Sequence, residues 1–254
     1  MLSFVNRSNR GRQAWLVLAL LLWLPACASS QNAALAPDPL EPFNRAMLGV
    51  NRGLEVAVVR PVGSVYRTLA PAPARRAIAN VASNVFTPVS ALNALLQGKP
   101  GQAGRSLLRF VVNSTLGLGG LIDVASRHGL PAQREDFGQT LAVWGLSNGP
   151  YLVLPLIGPT TLRDGIGLGV DTISDPLFWI LDGPVENYSY YGAALLVAYD
   201  EHRDDLDALR RGSLDFYVAL RSAYLQSRFD AVHDGAAAPE VEGPADILDS
   251  LPAD

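Results

Sequence analysis

The sequence predicts an all-α, membrane-associated fold in which short helices surround an irregular apolar hairpin. Three observations lead to this prediction. Apolar residues recur at helical spacing along most of residues 38–235. The stretch Phe137–Leu162 contains no charged side chain, yet three prolines and four glycines interrupt it. The first 27 residues have the features of an export signal and end at the only cysteine of the chain.

The N-terminal segment predicts a lipoprotein signal peptide over residues 1–26. Three arginines precede the apolar run Ala14–Leu24, which is too short to span a bilayer as a helix. Cys27 then lies where a bacterial lipobox places the residue that is acylated, so we expect a covalent diacylglycerol and acyl (palmitate-type) lipid there. An ordinary signal peptide with a chance cysteine is the alternative. Ala28, in place of aspartate, favours a lipid-anchored, periplasm-facing position at the outer membrane.

Composition divides the rest of the chain and excludes one class of partner. Residues 27–37 form a lipidated tether, residues 38–235 one helical domain, and residues 236–254 an acidic tail that we expect to be disordered. Removal of the signal peptide leaves 17 basic and 24 acidic residues and a net charge of −7, which argues against nucleic acid. Charged residues make up only 17% of the whole chain, which predicts less water-facing surface than usual.

Proline and glycine define the predicted helices of the first half. We expect Asn44–Val59 to be a helix that Pro61 stops, and Ala70–Pro73 to be a rigid turn. A helix over Ala74–Phe86 follows. Thr87 then caps a new helix with Pro88 at its first position and Gly98 after its end. The next predicted helix covers Gly101–Thr115.

The second half predicts longer helices. Thr160 or Thr161 caps a helix that ends near Asp175, and Leu177–Leu181 is a short helical piece. The two longest predicted helices are Asn187–Arg211 and Leu214–Val232. Both have tyrosines at helical spacing that indicate core or interface, and a position at the level of the lipid headgroups is the alternative.

Two apolar, glycine-rich segments lie between these groups of helices. Asn113–Ala125 and Phe137–Leu162 are joined by the polar connector Ser126–Asp136. Repeated prolines and glycines exclude a spanning helix, and irregular backbone at membrane depth occurs only where protein buries it or where it lines a water-filled cavity. The pattern favours a re-entrant hairpin or a pair of buried irregular segments, and a soluble core remains the alternative.

Six motifs, in order along the chain, carry a resemblance to a known family. They are DPLEPFNR at 38–45, NVFTPVSALNALLQG at 84–98, RFVVNSTLGLGGLIDVA at 109–125, EDFGQTLAVWG at 135–145, GPYLVLPLIGPTTLRD at 149–164 and SLDFYVALRSAYLQSR at 213–228. Together they resemble the MlaA (VacJ) family of outer-membrane lipoproteins over nearly all of the mature domain.

The resemblance implies a ring-shaped helical protein embedded in the outer membrane, with an internal hairpin lining a central amphipathic channel. Family members are thought to remove misplaced phospholipids from the outer leaflet, to associate with trimeric porins, and to pass the lipid to a soluble periplasmic carrier. By order along the chain, the hairpin lies between Gly117 and Asp164. The candidate channel and hairpin residues are Gly117, Gly119, Gly120, Asp123, Gly138, Gly149, Pro150, Tyr151, Leu152, Leu154, Pro155, Arg163 and Asp164.

Some of these residues have simpler interpretations. Asp123 is a candidate cap for a short helix at the end of its segment. Arg163 and Asp164 are either a helix-start pair or a gating and headgroup contact. Side chains alternate between two faces in an extended segment. Either Tyr151 or the pair Leu152 and Leu154 can therefore face a channel, but not both.

Enzymatic and scaffolding functions are the alternatives. Gly145–Gly149 satisfies G-x-S-x-G around Ser147, with Asp164 and His202 in the order of a hydrolase triad. That motif needs a strand before the serine and a helix after it, which the following prolines forbid. The sequence therefore predicts no catalytic residue, no metal site and no cofactor apart from the lipid at Cys27. A purely structural lipoprotein that scaffolds porins or the envelope remains the other alternative.

Overall fold

The computed structural model describes residues 37–181 and 183–235. The predicted signal peptide, Cys27, nearly all of the tether and the acidic tail lie outside the described residues. The elements run in the order α1 (Glu41–Leu54), a π-helical turn (Glu55–Val59), α2 (Arg60–Leu69), α3 (Ala72–Leu96), α4 (Pro100–Thr115), α5 (Val124–Arg127), α6 (Phe137–Val143), β1 (Tyr151–Leu154), β2 (Gly158–Thr161), α7 (Leu162–Ser174), α8 (Pro176–Ile180), α9 (Pro184–Gly212) and α10 (Phe216–Val232). The fold is therefore mostly helical, as predicted, but it also contains a β-hairpin that the all-α prediction missed.

The first helix does not stop at Pro61. In the π-helical turn, hydrogen bonds reach one residue further back, and the N–H of Arg60 donates to the carbonyl of Glu55. Pro61 follows at the start of α2, where its missing N–H removes little. The prediction of a break was wrong because this change of hydrogen-bond register absorbs the proline.

Helix α3 also continues through a proline. The two helices predicted on either side of Thr87 are one helix of 25 residues with Pro88 inside it. An internal proline costs about 3 kcal/mol, and packing of α3 along α4 offsets that cost. The buried face of α3 around Pro88 is small and polar, which permits close approach. Gly98 follows the helix at φ +75°, as predicted for a C-terminal glycine.

The glycine-rich segment after α4 is a compact turn. Helix α4 agrees with its prediction to within one residue, and Asp123 caps α5 by accepting from the N–H of Ser126. A Cβ at Gly117 would lie 2.3 Å from the carbonyl oxygen of Ile122, so this turn requires glycine there. Gly119 and Gly120 both adopt positive φ, which favours glycine as well.

The stretch Phe137–Leu162 has more regular structure than predicted. It begins as α6 and ends as an antiparallel hairpin in which Tyr151 pairs with Thr161 and Leu154 with Gly158. Four consecutive residues of tyrosine, leucine and valine lie between Pro150 and Pro155, which leaves room for one short strand. Leu156 at φ +65° and Gly158 at φ +91° close the turn.

The second half confirms the predicted helices with small changes of boundary. Thr161 caps α7 by accepting from the N–H of Asp164, and α7 ends before Asp175. Helix α9 starts three residues before the predicted position. Helix α10 starts at Phe216, where Asp215 caps it.

Polar side chains dominate the interior of the described residues. Asn44, Gln139, Thr140 and Asp175 are among the least accessible side chains. The apolar core is small and centres on Val153, with Tyr151 and Tyr217 packed beside it, whereas many large apolar side chains are exposed. Typical soluble proteins, in contrast, bury mostly apolar side chains. Within the described residues, no helix combines the length and the apolar character needed to cross a membrane.

Candidate functional site

A cavity of about 500 Å³ lies among the helices of the described domain. Its wall is built from α3, α4, residues 132–136 of the connector, the tip and second strand of the hairpin, α7, α9 and α10. Elements from nearly the whole length of the domain thus meet around one space. We take this space as the candidate functional site.

One part of the wall is apolar. Helix α3 contributes Ala79, Ala82 and Phe86, and α9 contributes Ala194 and Val197. The small alanines keep the two helices from filling the space between them. Hydrocarbon chains are compatible with such a lining because it offers no polar group that needs a partner.

An ion cluster forms another part of the wall. Arg228 on α10 donates from Nη1 and Nη2 to the two carboxylate oxygens of Asp136, at 2.6 and 2.9 Å. Its Nε and Nη2 also donate to Asp164, both at 3.1 Å. The hydroxyl of Tyr224 donates to Asp164 at 2.8 Å. One arginine therefore joins the connector before α6 to the first turn of α7.

Burial and pairing act in opposite directions in this cluster. Burial alone would raise the pKa of Asp136, but the hydrogen bonds from Arg228 bring it below its usual value. Burial and the nearby Asp164 carboxylate raise the pKa of Tyr224, so its hydroxyl remains a donor. Asp136 is thereby held in a charged, hydrogen-bonded state.

Arg163 and Asp164 have different positions relative to the cavity. Asp164 lines the cavity, while Arg163 is buried beside it and donates from Nε and Nη2 to Asp164 Oδ1, at 3.0 and 2.8 Å. The pair does stand at the start of α7. A gating or headgroup role for either residue stays a prediction.

Asp171 on α7 is a carboxyl with a weaker set of partners. It accepts from Nδ2 of Asn93 and from the N–H of Phe137, both at 2.9 Å. Burial raises its pKa to about 6, against the lowering effect of these two donors. Asp175, further along, caps α8 and accepts from the hydroxyl of Tyr190 at 3.0 Å. The α7 side of the cavity is therefore rich in carboxyl groups.

Two asparagines of α1 hold the hairpin in place. Asn44 donates to the carbonyl of Tyr151 and accepts from the N–H of Val153, both at 2.9 Å. Two helical turns later, Asn51 donates to the carbonyl of Leu154 and accepts from the N–H of Leu156. These amides satisfy the free edge of β1, which has no other strand beside it in the described residues.

The hairpin faces the cavity with its tip and second strand. Ile157, Pro159 and Thr160 line the cavity. Tyr151 is buried against Tyr217 and Tyr224 instead. On the first strand burial alternates, so that Leu152 and Leu154, which are partly buried, lie on the opposite face from Tyr151. A channel role for Gly149, Pro150, Pro155 and the first strand stays a prediction.

Glycine permits a close contact behind the ion cluster. A Cβ at Gly138 would lie 2.6 Å from Asp164 Oδ1, and a Cβ at Gly167 would lie 2.3 Å from the backbone nitrogen of Gly138. Helices α6 and α7 touch through these two residues. The turn after α4 is shaped by Gly117, Gly119, Gly120 and Asp123. None of these four residues lines the cavity.

Sequence reasoning missed most of the wall. Of the predicted residues, Asp164 lines the cavity, whereas Asp136, Asp171 and Arg228 were not singled out. Asp136 belongs to a segment that was interpreted only as a polar connector. Its position directly before an apolar run, three residues before Gln139, is a capping signal that could have drawn notice.

The hydrolase motif does not have its required surroundings. Ser147 follows α6 and precedes β1, which is the opposite of the strand-then-helix order that a nucleophile elbow needs. The carboxylate of Asp164 is bonded to Arg163, Tyr224 and Arg228. Within the residues that the structure describes, no group of histidine, cysteine and acidic side chains could hold a metal ion.

Known proteins are similar to this chain in sequence and in fold. The family model of the MlaA lipoprotein matches residues 36–230. The intermembrane phospholipid transport system lipoprotein MlaA of Shigella flexneri is 36% identical over 239 residues, which cover 92% of this chain and 93% of that protein. Its namesake from Haemophilus influenzae is 33% identical and is covered to 94%. A structure solved in work on the structural basis for maintenance of bacterial outer membrane lipid asymmetry is 35% identical, with a TM-score of 0.69 over 78% of this chain and 100% of its own.

Proposed function

Because this chain belongs to the MlaA lipoprotein family, we propose that it removes mislocalised phospholipids from the outer leaflet of the outer membrane through its central cavity. The lipids then pass to a soluble periplasmic carrier for retrograde transport, which maintains the lipid asymmetry of the membrane. The names of the relatives and the subject of the solved structure support this assignment.

The mixed lining of the cavity is the observation that carries the proposal. A phospholipid has a charged headgroup and two apolar chains, so its passage through a bilayer is opposed by the cost of burying the headgroup. The ion cluster around Arg228 and the carboxyls of α7 offer a polar surface. The alanines of α3 and α9 form an apolar surface in the same cavity. A cavity with both surfaces lowers the barrier for the headgroup without requiring the chains to enter water.

The exposed apolar side chains support a position within the membrane. On the outer side of α4, Leu107, Leu108 and Val111 are each about half exposed. Trp144 and Trp179 are also largely exposed, and tryptophan favours the boundary between lipid and water. We place the domain, as a ring around the cavity, in the inner leaflet, anchored by the lipid at Cys27 and facing the periplasm. A trimeric porin is the membrane partner that the family resemblance implies.

A variant that fills the cavity tests this function. Ala194 lines the cavity on α9, and its neighbour Ala193 is exposed and outside the lining. We expect a strain that carries Ala194→Trp to accumulate outer-leaflet phospholipid and to become detergent-sensitive, which is also the result that we expect for a deletion strain. Ala193→Trp, the matched control, should restore the wild-type state.

Three readouts separate this function from its alternatives. Outer-leaflet phospholipid, the amount of protein in the outer membrane and porin assembly are measured on the same strains. Normal lipid asymmetry in the deletion strain, together with defective porin assembly, would contradict lipid transport and favour a scaffold. Loss of function in a Ser147→Ala strain would instead favour a phospholipase.

A further inference from the structure

Three arginines line the cavity, and two of them form ion pairs with carboxylates of the protein. Arg228 binds Asp136 and Asp164, as described above. Arg109 is buried and donates to Asp123, to the hydroxyl of Ser126 and to a connector carbonyl, at 2.7–2.8 Å. Both guanidiniums are therefore already paired with carboxylates of the protein.

Arg134 is different. It lines the cavity and is exposed. Among the described residues, no carboxylate lies within 4 Å of its guanidinium, and its guanidinium takes part in no hydrogen bond. Arg76 and Arg105 also have no ion partner within residues 37–181 and 183–235, but they lie outside the cavity lining. Arg134 is therefore the one uncommitted cation of the wall within the described part of the chain.

The backbone around Arg134 is fixed although its side chain is free. Nε2 of Gln139 donates to the carbonyl of Arg134 at 2.9 Å. The hydroxyl of Ser90 binds both the N–H and the carbonyl of the next residue, Glu135, at 3.2 and 3.0 Å. Asp136 is then held by Arg228. A long side chain on an anchored backbone can present its charge at a defined place.

We propose that Arg134 binds the phosphate group of a phospholipid as the lipid enters the cavity, a role that rests on the function proposed above. A planar guanidinium can donate two parallel hydrogen bonds to the two free oxygens of a phosphodiester. Arg134 thus acts as a specificity residue that distinguishes phosphate-bearing lipids from neutral glycerides.

The charges of the remaining wall restrict where this contact can form. Besides the paired Asp136 and Asp164, four acidic residues line the cavity and repel a phosphate when ionised: Glu135, Asp171, Asp175 and Glu201. Attraction for an anion is therefore concentrated at Arg134. The apolar faces of α3 and α9 remain available to the acyl chains of the same molecule.

Lipid binding by the purified full-length chain tests the proposal. Native mass spectrometry in a nonionic detergent gives apparent dissociation constants for dioctanoyl phosphatidylethanolamine, dioctanoylglycerol and inorganic phosphate. The proteins are the wild type, Arg134→Gln, Arg134→Lys and the control Arg105→Gln, with thermal unfolding recorded for each. Arg105 is exposed and has no ion partner in the part of the chain that the structure describes, and it lies outside the cavity lining.

We expect Arg134→Gln to weaken phosphatidylethanolamine binding by about tenfold, which corresponds to the loss of one charge-assisted contact. Binding of dioctanoylglycerol should not change. The phospholipid affinity of Arg134→Lys should lie between those of the wild type and Arg134→Gln, because lysine keeps the charge but cannot donate two parallel hydrogen bonds. Arg105→Gln should match the wild type.

Other outcomes overturn the proposal in distinguishable ways. Equal phospholipid affinity in wild type and Arg134→Gln would refute the role of Arg134 and leave lipid transport standing. An equal loss for phospholipid and glyceride would show a structural effect. Inorganic phosphate that displaces the lipid at comparable concentration would identify a free-anion site. A wild-type protein that binds neither lipid would refute the proposed function itself.

Discussion

Replacement of Arg228 by methionine removes the cation that joins two carboxylates at the cavity wall. Methionine keeps much of the apolar stem but none of the four hydrogen bonds to Asp136 and Asp164. The side chains are 16%, 31% and 7% exposed in the order Arg228, Asp136, Asp164. The perturbation therefore leaves two largely buried negative charges next to each other.

The expected loss of unfolding free energy is about 3 kcal/mol, at the lower end of the range for breaking a buried ion pair. The lower end applies because both carboxylates keep other donors. Asp164 retains Arg163 and Tyr224. Asp136 retains its capping hydrogen bonds from Gln139.

The loss depends on pH in a defined direction. In the wild type, burial opposes ionisation of Asp136, but Arg228 keeps its pKa below the ordinary value. Such a group contributes stability at pH values above its unfolded pKa of about 3.9, and the contribution is lost as pH falls through the lower folded pKa. The difference between wild type and Arg228→Met should be complete at pH 7 and should shrink below pH of about 4.

Urea unfolding of the purified chain in a mild detergent, followed by circular dichroism at pH 7 and at lower pH, measures this difference. Arg211→Met is the control, since Arg211 is exposed on α9 and has no ion partner among the described residues; it should change stability by less than about 0.5 kcal/mol. A loss below about 1 kcal/mol for Arg228→Met, or one that grows as the pH falls, would refute the reasoning.

Three further predictions concern packing, titration and the hairpin. Gly167→Ala should cost about 3 kcal/mol in urea unfolding because its Cβ would meet the backbone of Gly138, whereas Gly169→Ala on the same helix has open space and should be neutral or stabilising by up to about 1 kcal/mol; similar values for the two would contradict the close contact. Asp171 has a folded pKa of about 6 because of burial, so wild-type stability should fall as pH rises from about 4 to 6, and Asp171→Asn should lack this part of the slope. Parallel stability–pH curves for the two proteins would count against it. Asn44→Ala leaves an N–H and a carbonyl of β1 without partners, so it should destabilise by about 2 kcal/mol and speed amide exchange in β1; unchanged exchange there would oppose the anchoring role.

Helical periodicity predicted most of the frame, but proline misled the prediction of its breaks. At Pro61, a π-helical turn changes the hydrogen-bond register, and at Pro88, packing against α4 outweighs the local cost. Neither cause can be read from nearby residues, because both depend on tertiary contacts. Caps were predicted well at Asp123 and Thr161, since a cap depends on two or three adjacent residues.

The candidate site could be predicted only in part. Asp164 was identified because it ends a charge-free stretch. Its partner Arg228 lies 64 residues away and has no local pattern that marks it. The strands of the hairpin were missed because four-residue strands between prolines leave no periodicity to count. Arg134 was overlooked because what distinguishes it is the absence of a partner, which sequence does not show.

The amides of α1 also have a consequence for the order of folding. Asn44 completes its buried hydrogen bonds with residues more than 100 positions further along the chain, and Asp38 beside it binds the hydroxyl of Tyr217. Helix α1 is made early but cannot reach its final state until α10 has been synthesised. Contacts of such large sequence separation slow folding and expose unfinished surfaces for longer. Chains interrupted before β1 should therefore keep these amides unpaired, and chains interrupted before α10 should lack the contact between Tyr217 and Asp38. Both kinds of chain should be preferred targets of chaperones and proteases.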